Sequence, residues 1–175
     1  MLAYMGVIEY QKRGLPHAHI LVILESNDSL KTAKDVDSII CAEIPHTIQC
    51  LPHDSVENEQ INRLRKIVLK CMIHGPCGER NPRAPCMVDG KCTKNFPKNF
   101  ALQTSWSVRS SYPTYKRHGS ADGGSTAVVG DYILDNRFFV PYSPCLSLKN
   151  DAHINAEACV SPFAAKYLFL YINKV

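Results

Sequence analysis

The sequence has no apolar run that approaches the roughly 20 residues of a transmembrane helix. Its first residues, MLAYMGVIEYQ, contain neither the basic segment nor the hydrophobic segment of a signal peptide. The phosphate-binding pattern G-x-x-x-x-G-K-[ST] is missing as well, because the Gly90-Lys91 pair lacks the preceding glycine. These absences predict a domain that has no membrane partner and contains no ATPase or helicase motor.

Acidic residues are scarce in the middle of the chain. Between residues 61 and 118 only Glu79 and Asp89 are acidic, whereas twelve residues are lysine or arginine, and aromatic residues follow in the same span. This composition predicts a polyanionic partner, because cations neutralise phosphates and bases stack on aromatic rings. A solvated basic face without a partner is the alternative. The candidate DNA contacts are Lys91, Lys94, Lys98, Arg109, Lys116 and Arg117.

The eight cysteines indicate metal binding rather than disulfides, since there is no secretory signal and four of them lie between residues 71 and 92. Soft thiolates and one imidazole at close spacing suit tetrahedral Zn²⁺. The surrounding segment, 71–100, is too rich in proline and glycine to build its own core, so a metal would organise it. Cys71 is an alternative ligand, and free thiols are the alternative to a site. The predicted pattern is H-x2-C-x8-C-x5-C, formed by His74, Cys77, Cys86 and Cys92.

The stretch GLPHAHILVIL places His17 and His19 on one face of a predicted strand, because strand side chains alternate. Glu9 and Gln11 share a face of the preceding strand for the same reason. Two imidazole nitrogens and one carboxylate or carboxamide oxygen suit Mg²⁺ or Mn²⁺ with open coordination positions. A structural zinc site would need a fourth protein ligand. Two half-buried histidines without a metal are the alternative.

Periodicity and turn residues predict the remaining elements. Ile61, Leu64, Ile67 and Val68 recur at helical spacing, which indicates a helix. The predicted elements are strands over 4–11 and 17–25, a short helix within 26–44, a helix over about 57–72, a flexible loop over 119–126, two strands within 136–159 and a helix that Ser161 caps.

The segment KYLFLYINK carries a second chemical pattern. Tyr167 and Tyr171 are four residues apart, so they lie on one face of the predicted helix, and Lys174 lies one turn further on. Taken alone, this pattern is also typical of an aromatic stripe that packs on a sheet. Together with a metal at His17 and His19, it indicates attack of a tyrosine hydroxyl on a scissile phosphate, with Lys174 neutralising charge.

In this order, the motifs closely resemble the Rep endonuclease domain of Helitron transposons, the Helitron helicase-like N-terminal domain, over essentially the whole chain. The segments that carry the resemblance are EYQKRGLPHAH, HGPCG, GKCTKNFPK, AHINAE and KYLFLY. Because this family belongs to the HUH endonucleases, the resemblance implies an α+β fold. It implies an antiparallel-sheet core with helices on its faces and a zinc-knuckle-like insertion over 71–100.

The resemblance also implies which residues act. His17 and His19 would be the metal ligands, Tyr167 and Tyr171 the candidate nucleophiles, and Gln11 the third ligand, with Glu9 as second choice. The implied activity is metal-dependent nicking and strand transfer of single-stranded DNA in rolling-circle transposition.

The same resemblance implies a nuclear location and a helicase domain in the same polypeptide. Relatives carry sequence before the Glu9 strand and after the tyrosine helix, so we expect 1–175 to be a single, partial Rep-type domain. Leu170 stands where relatives commonly have lysine. The alternative functions are an inactive, zinc-stabilised basic DNA-binding remnant and a zinc domain that contacts protein.

Overall fold

In the part of the chain that the structure describes, the fold is mixed α/β, with small antiparallel sheets and three α-helices. The computed structural model describes residues 2–10, 16–46, 56–107 and 110–160. Within these ranges the strands form three two-stranded sheets, and none of the helices is long and apolar enough to cross a membrane. The elements are β1 (Ala3–Tyr10), β2 (Pro16–Ile23), α1 (Ala33–Ile39), α2 (Val56–Cys71), β3 (Met87–Val88), β4 (Lys91–Cys92), β5 (Thr126–Val129), β6 (Tyr132–Asp135) and α3 (Pro144–Asn150), with 3₁₀ turns at Ser120–Asp122 and Asn136–Phe138.

The first sheet is the hairpin of β1 and β2, which confirms the predicted strand pair. Its antiparallel register places Glu9 opposite His17 and Val7 opposite His19. Because side chains alternate along each strand, these four residues share one face of the hairpin. Both histidines are half-buried there, whereas Ile8 on the other face is 65% exposed. The hairpin therefore has a histidine face that is more sheltered than its apolar face.

The predicted helices α1 and α2 are confirmed. Thr32 caps α1 through a capping box, in which its hydroxyl accepts from the Asp35 amide and the Asp35 carboxylate accepts from the Thr32 amide. Helix α2 carries Glu57 and Glu59 in its first turn and Lys70 in its last, which suits the helix dipole. It buries Ile67 and Val68, as the helical spacing predicts.

The larger core lies between α2, the hairpin of β5 and β6, and the chain that follows β6. Tyr142 is fully buried in it, and its hydroxyl donates to the carbonyl of Glu43 at 2.8 Å. A smaller core packs α1 against Tyr115 and Ala158. The buried residues of the larger core are Ile44, Val68, Met72, Ala127, Leu134, Phe138, Phe139 and Tyr142.

Arg117 lies in the interior, between the two cores, and this corrects its assignment as a DNA contact. The side chain is buried, and Nη1 donates to the carbonyls of Ala42, Asn136 and Phe139 at 3.0, 2.6 and 2.8 Å. Burial lowers the pKa of the guanidinium to about 10. With its donors directed at backbone carbonyls, Arg117 joins three chain segments and does not present a charge to DNA.

The region 136–159 does not form the two predicted strands. A 3₁₀ turn follows β6, because the Asp135 carboxylate accepts from the Arg137 amide. Pro144 then begins α3, where its missing N–H costs no helical hydrogen bond. The extended residues that remain form isolated bridges rather than strands, and these pair Phe139 with Ile73 and Tyr142 with both Cys41 and Asn155.

Within the loop predicted over 119–126, residues 119–124 form a tight turn, and Thr126 begins β5. The Gly124 amide donates to the Gly119 carbonyl at 2.8 Å. A Cβ at Gly124 would lie 2.0 Å from the carbonyl oxygen of His118, so only glycine fits. The helix predicted from Ser161 lies outside the described residues, as does the tyrosine pattern that it carries.

Candidate metal centre

Four predicted ligands converge on one point. The ligand atoms of His74, Cys77, Cys86 and Cys92 all lie within 4.8 Å of one another, and His74 Nε2 is 3.4 Å from Cys92 Sγ. In tetrahedral zinc with Zn–S bonds of about 2.3 Å, ligand atoms are ~3.8 Å apart. The cluster could therefore hold a metal ion such as zinc. Among the residues that the structure describes, no other group of three or more His, Cys, Asp or Glu side chains converges in this way, and Cys71 is not part of it.

The β3–β4 hairpin brings two of the ligands together. Its two-residue turn has positive φ at Asp89 (49°) and Gly90 (74°), as a type I′ turn requires, and Asp-Gly is a favoured pair for it. The hairpin pairs Met87 with Cys92, and the amide of Thr93 donates to the Cys86 carbonyl at 2.8 Å. Cys86 and Cys92 therefore both lie at the base of the hairpin, and their sulfur atoms are within 4.8 Å of each other.

The other two ligands follow α2 directly and are fastened to the larger core. The amide of His74 donates to the Phe138 carbonyl at 2.8 Å, and at the far end of the segment the amide of Lys98 donates to the Arg137 carbonyl at 3.0 Å. Between them, Arg80 donates to the Ile133 carbonyl at 3.1 Å and lies over the Phe138 ring. The metal segment is thus anchored to the β6 region at both ends and in its middle.

The electrostatics of the cluster favour metal-binding protonation states at His74 and Cys92. Burial, aided by the charges of Lys98 and Lys94, lowers the pKa of His74, which keeps the imidazole neutral. Burial opposes ionisation of Cys92, but the backbone amides of Phe96 and Lys94 and the neighbouring thiols lower its pKa overall. Cys77 behaves differently, because burial and its hydrogen bonds to Cys92 and Cys86 raise its pKa to about 12. A bound cation would have to displace that proton.

Basic and aromatic side chains surround the centre. The Phe96 ring stacks on the His74 imidazole, with 4.1 Å between centroids and 9° between planes. Lys98 Nζ lies 4.9 Å from the centroid of the same ring and donates to the Lys94 carbonyl at 2.9 Å. Of the candidate DNA contacts, Lys91, Lys94 and Lys98 therefore lie at this centre.

The His-x-His pair forms a second, separate grouping on the β1–β2 hairpin. The rings of His17 and His19 are 4.7 Å apart between centroids, and His19 Nε2 lies 3.4 Å from the Glu9 carboxylate. The structure thus places the two predicted histidines beside the second-choice ligand. The first-choice ligand, Gln11, lies outside the described residues.

The remaining predicted residues divide into two groups. Lys116 lines a small cavity of about 30 Å³ together with Asp37, Cys41 and Glu43, and is not at the metal centre. The tyrosines and their lysine, together with one basic residue, lie outside the described part of the chain; these are Tyr167, Tyr171, Lys174 and Arg109.

Some residues acquire roles that the sequence did not reveal. In the sequence, nothing but its position four residues after Cys92 sets Phe96 apart from the other aromatic residues of the basic span. His153 donates through Nδ1 to the Cys71 carbonyl at 2.6 Å, and Glu157 accepts from the Tyr115 hydroxyl at 2.8 Å. Both therefore have packing roles here.

No protein-family model matches this chain, and no curated protein is significantly similar to it. The function must therefore be argued from the two groupings of side chains and their surroundings.

Proposed function

We propose that this chain is an HUH-type endonuclease domain of the Helitron Rep kind, which nicks single-stranded DNA and transfers the cut strand. The observation that carries the proposal is that Glu9, His17 and His19 lie on one face of one hairpin, with 3.4 Å between His19 Nε2 and the Glu9 carboxylate. Their three ligand atoms do not converge as closely as those of the cysteine cluster, so a bound ion would have to draw them together. Two imidazoles and one carboxylate suit a hard divalent ion that retains open positions for substrate.

The chemistry follows from this ligand set. A divalent ion bound by Glu9, His17 and His19 would polarise the scissile phosphate. The hydroxyl of Tyr167 or Tyr171 loses its proton and attacks phosphorus in line. A tyrosyl–phosphate bond forms as the phosphodiester bond to the leaving nucleotide breaks, and that nucleotide takes up a proton as a free hydroxyl. The phosphotyrosine keeps the bond energy for rejoining to another strand.

The zinc-type centre has a different part in the proposal. Its thiolates suit a soft structural ion, and its position beside Lys91, Lys94 and Lys98 supports a role in holding the DNA backbone. Substrate binding and cleavage are then assigned to separate groups of residues, which can be varied independently.

A second candidate function is a zinc-stabilised DNA-binding module without turnover, a remnant of such an enzyme. The converged cluster of His74, Cys77, Cys86 and Cys92 favours it, because this cluster and its lysines would bind DNA whether or not the hairpin holds a metal. Under this candidate, binding weakens with salt and leaves no covalent product.

Covalent trapping separates the two candidates. Zinc-loaded protein is mixed with labelled single-stranded oligonucleotides, with or without Mn²⁺, and run on a denaturing gel. Omission of Mn²⁺ is the control, because a chelator would also strip the zinc. The enzyme predicts a Mn²⁺-dependent band that His17→Ala and the Tyr167→Phe/Tyr171→Phe double variant abolish and that the control His46→Gln retains. Binding without any such band would favour the remnant.

A further inference from the structure

An open groove lies beside the metal centre, between the β3–β4 hairpin and the chain that follows Cys92. Its volume is about 510 Å³, and it is broadly open to solvent. The residues that line it include Met87, Lys91, Asn95, Phe96, Lys98 and Asn99.

The groove lining combines cationic, amide and apolar groups. Lys91 and Lys98 supply two ammonium groups, and none of the described residues that line the groove is acidic. Asn95 and Asn99 are exposed, and each amide offers both a donor and an acceptor, the combination that reads the edge of a base. Met87 supplies apolar surface. An anion with a flat, hydrogen-bonding ring matches this lining better than a simple anion does.

We propose that this groove binds one nucleotide of a single strand, with the phosphate between Lys91 and Lys98 and the base edge at Asn95 and Asn99. The assignment rests on the proposed function and deepens it by naming where the strand is held. A single strand fits because its base edges are unpaired and therefore available to the two amides. The groove is open at the surface, so a strand enters and leaves without being threaded.

The metal centre forms one wall of this groove. Cys92 lines the groove directly, and the Phe96 ring lies against both the His74 imidazole and Lys98 Nζ, at 4.1 and 4.9 Å. Phe96 is therefore a positioning residue. When the cluster is bound, the fixed His74 ring holds the Phe96 ring in place, and the Phe96 ring in turn holds Lys98. Metal loading and nucleotide binding are coupled through this stack, so the metal-free protein binds single strands more weakly.

Fluorescence anisotropy on the full chain, loaded with zinc, tests the groove with a labelled single strand of about 12 nucleotides. Lys91→Gln and Lys98→Gln should each weaken binding and make the slope of log K against log salt shallower by about 0.7, the value for one phosphate contact on a single strand. Asn95→Ala with Asn99→Ala should change the preference among bases and leave the salt slope unchanged. Lys34→Gln, an exposed lysine on α1, is the charge-matched control.

The positioning role of Phe96 has its own readout. The cobalt-substituted Phe96→Leu protein should keep the absorption of a tetrahedral thiolate site. The slope of log K against log salt should nevertheless become shallower by the amount that Lys98 contributes in the wild type. If Phe96→Leu keeps that contribution, the coupling through the stack is wrong. If Phe96→Leu instead lost the absorption of the tetrahedral cobalt site, Phe96 would be needed for metal binding by the cluster. That result would also contradict the proposal that Phe96 only positions Lys98.

Three outcomes overturn the groove assignment. Unchanged binding in the lysine and asparagine variants would place the strand elsewhere. Equal competition by an acidic peptide of matched charge would mean that the groove reads charge and not nucleotides. Equal loss of binding in the Lys34→Gln control would mean that net charge alone acts. Covalent trapping is independent of these results: no Mn²⁺-dependent adduct together with groove-dependent binding would reject the nicking function and leave the groove standing.

Discussion

The imidazole of His74 and the ring of Phe96 are stacked, with their centroids 4.1 Å apart and their planes 9° from parallel. His74 is a candidate metal ligand and Phe96 lines the basic groove, so this one contact joins the two features. The stack also shields the imidazole from water, in keeping with the lowered pKa of His74. A metal at the cluster is thereby expected to affect both the stability of the segment and its binding surface.

Removal of zinc should destabilise the domain. The segment from His74 to Asn99 has few buried apolar residues, so its order depends on the four ligands. Because the loss of a structural ion costs several kcal/mol, we expect Cys92→Ser to lower the melting temperature by about 10 °C or more. Cys145→Ser, at an exposed cysteine of α3, is the matched control and should have the same melting temperature as the wild type. Equal melting temperatures for both variants in calorimetry would show that no structural metal is bound.

Loss of Arg117 should destabilise the fold strongly, because the carbonyls of Ala42 and Phe139 lose the guanidinium donor, and that of Asn136 keeps only the Phe139 amide. Each unsatisfied buried carbonyl costs about 1–3 kcal/mol, so we expect Arg117→Met to lower the free energy of unfolding by roughly 3–5 kcal/mol. Urea denaturation measures this value, and Lys116→Gln at the neighbouring, half-buried position should change it far less. A stable Arg117→Met protein with weakened DNA binding would restore Arg117 as a DNA contact.

Glu157 should make stability depend on pH. Burial raises the pKa of its carboxyl above the ordinary value of 4.5, so protons bind the folded state more tightly than the unfolded state. The contribution of this carboxyl to the free energy of unfolding is complete below pH 4.5 and is lost as the pH rises through the folded-state pKa. Glu157→Gln keeps an acceptor for the Tyr115 hydroxyl and has no charge, so its stability relative to wild type should rise with pH. Urea titrations from about pH 4 to about pH 8 that show a constant difference would contradict this assignment.

The hairpin should bind Mn²⁺ without help from the cysteine cluster. Thiolates bind zinc more tightly than an imidazole–carboxylate site does, so one equivalent of zinc fills the cysteine cluster and Mn²⁺ can then be titrated onto the hairpin. In the zinc-loaded protein, His17→Ala and His19→Ala should each weaken Mn²⁺ binding at least about tenfold, as measured by electron paramagnetic resonance of the free ion. His46→Gln is the control, since that imidazole contacts Ser125 and not the hairpin. Equal Mn²⁺ affinity in all three variants would reject the hairpin site.

Local patterns predicted the elements whose signals lie within a few residues. The alternation around His17 and His19 predicted the β1–β2 face, and the spacing of Ile67 and Val68 predicted the buried side of α2. The metal spacing predicted all four converging ligands. A short hairpin turn at Asp89 and Gly90 brings Cys86 close to Cys92, and His74 and Cys77 are only three residues apart in the sequence.

Features that depend on distant contacts were not predictable in this way. Arg117 has the charge of a surface residue, and only the carbonyls of Ala42, Asn136 and Phe139 make it an interior one. The apolar and polar residues after Asn136 fit strand alternation, yet Pro144 begins a helix there. Likewise Cys71 and Cys86 have equally suitable spacing to His74 and Cys77, and only the folded hairpin distinguishes them.

The most direct test of the proposed nicking function is the intact mass of zinc-loaded protein after incubation with single-stranded DNA and Mn²⁺. The nicking function predicts an added mass equal to that of a cleaved oligonucleotide. Peptide mapping should assign this mass to Tyr167 or Tyr171, and the double phenylalanine variant should lack it. DNA-binding protein of unchanged mass, or an adduct that persists in the double variant, would contradict it.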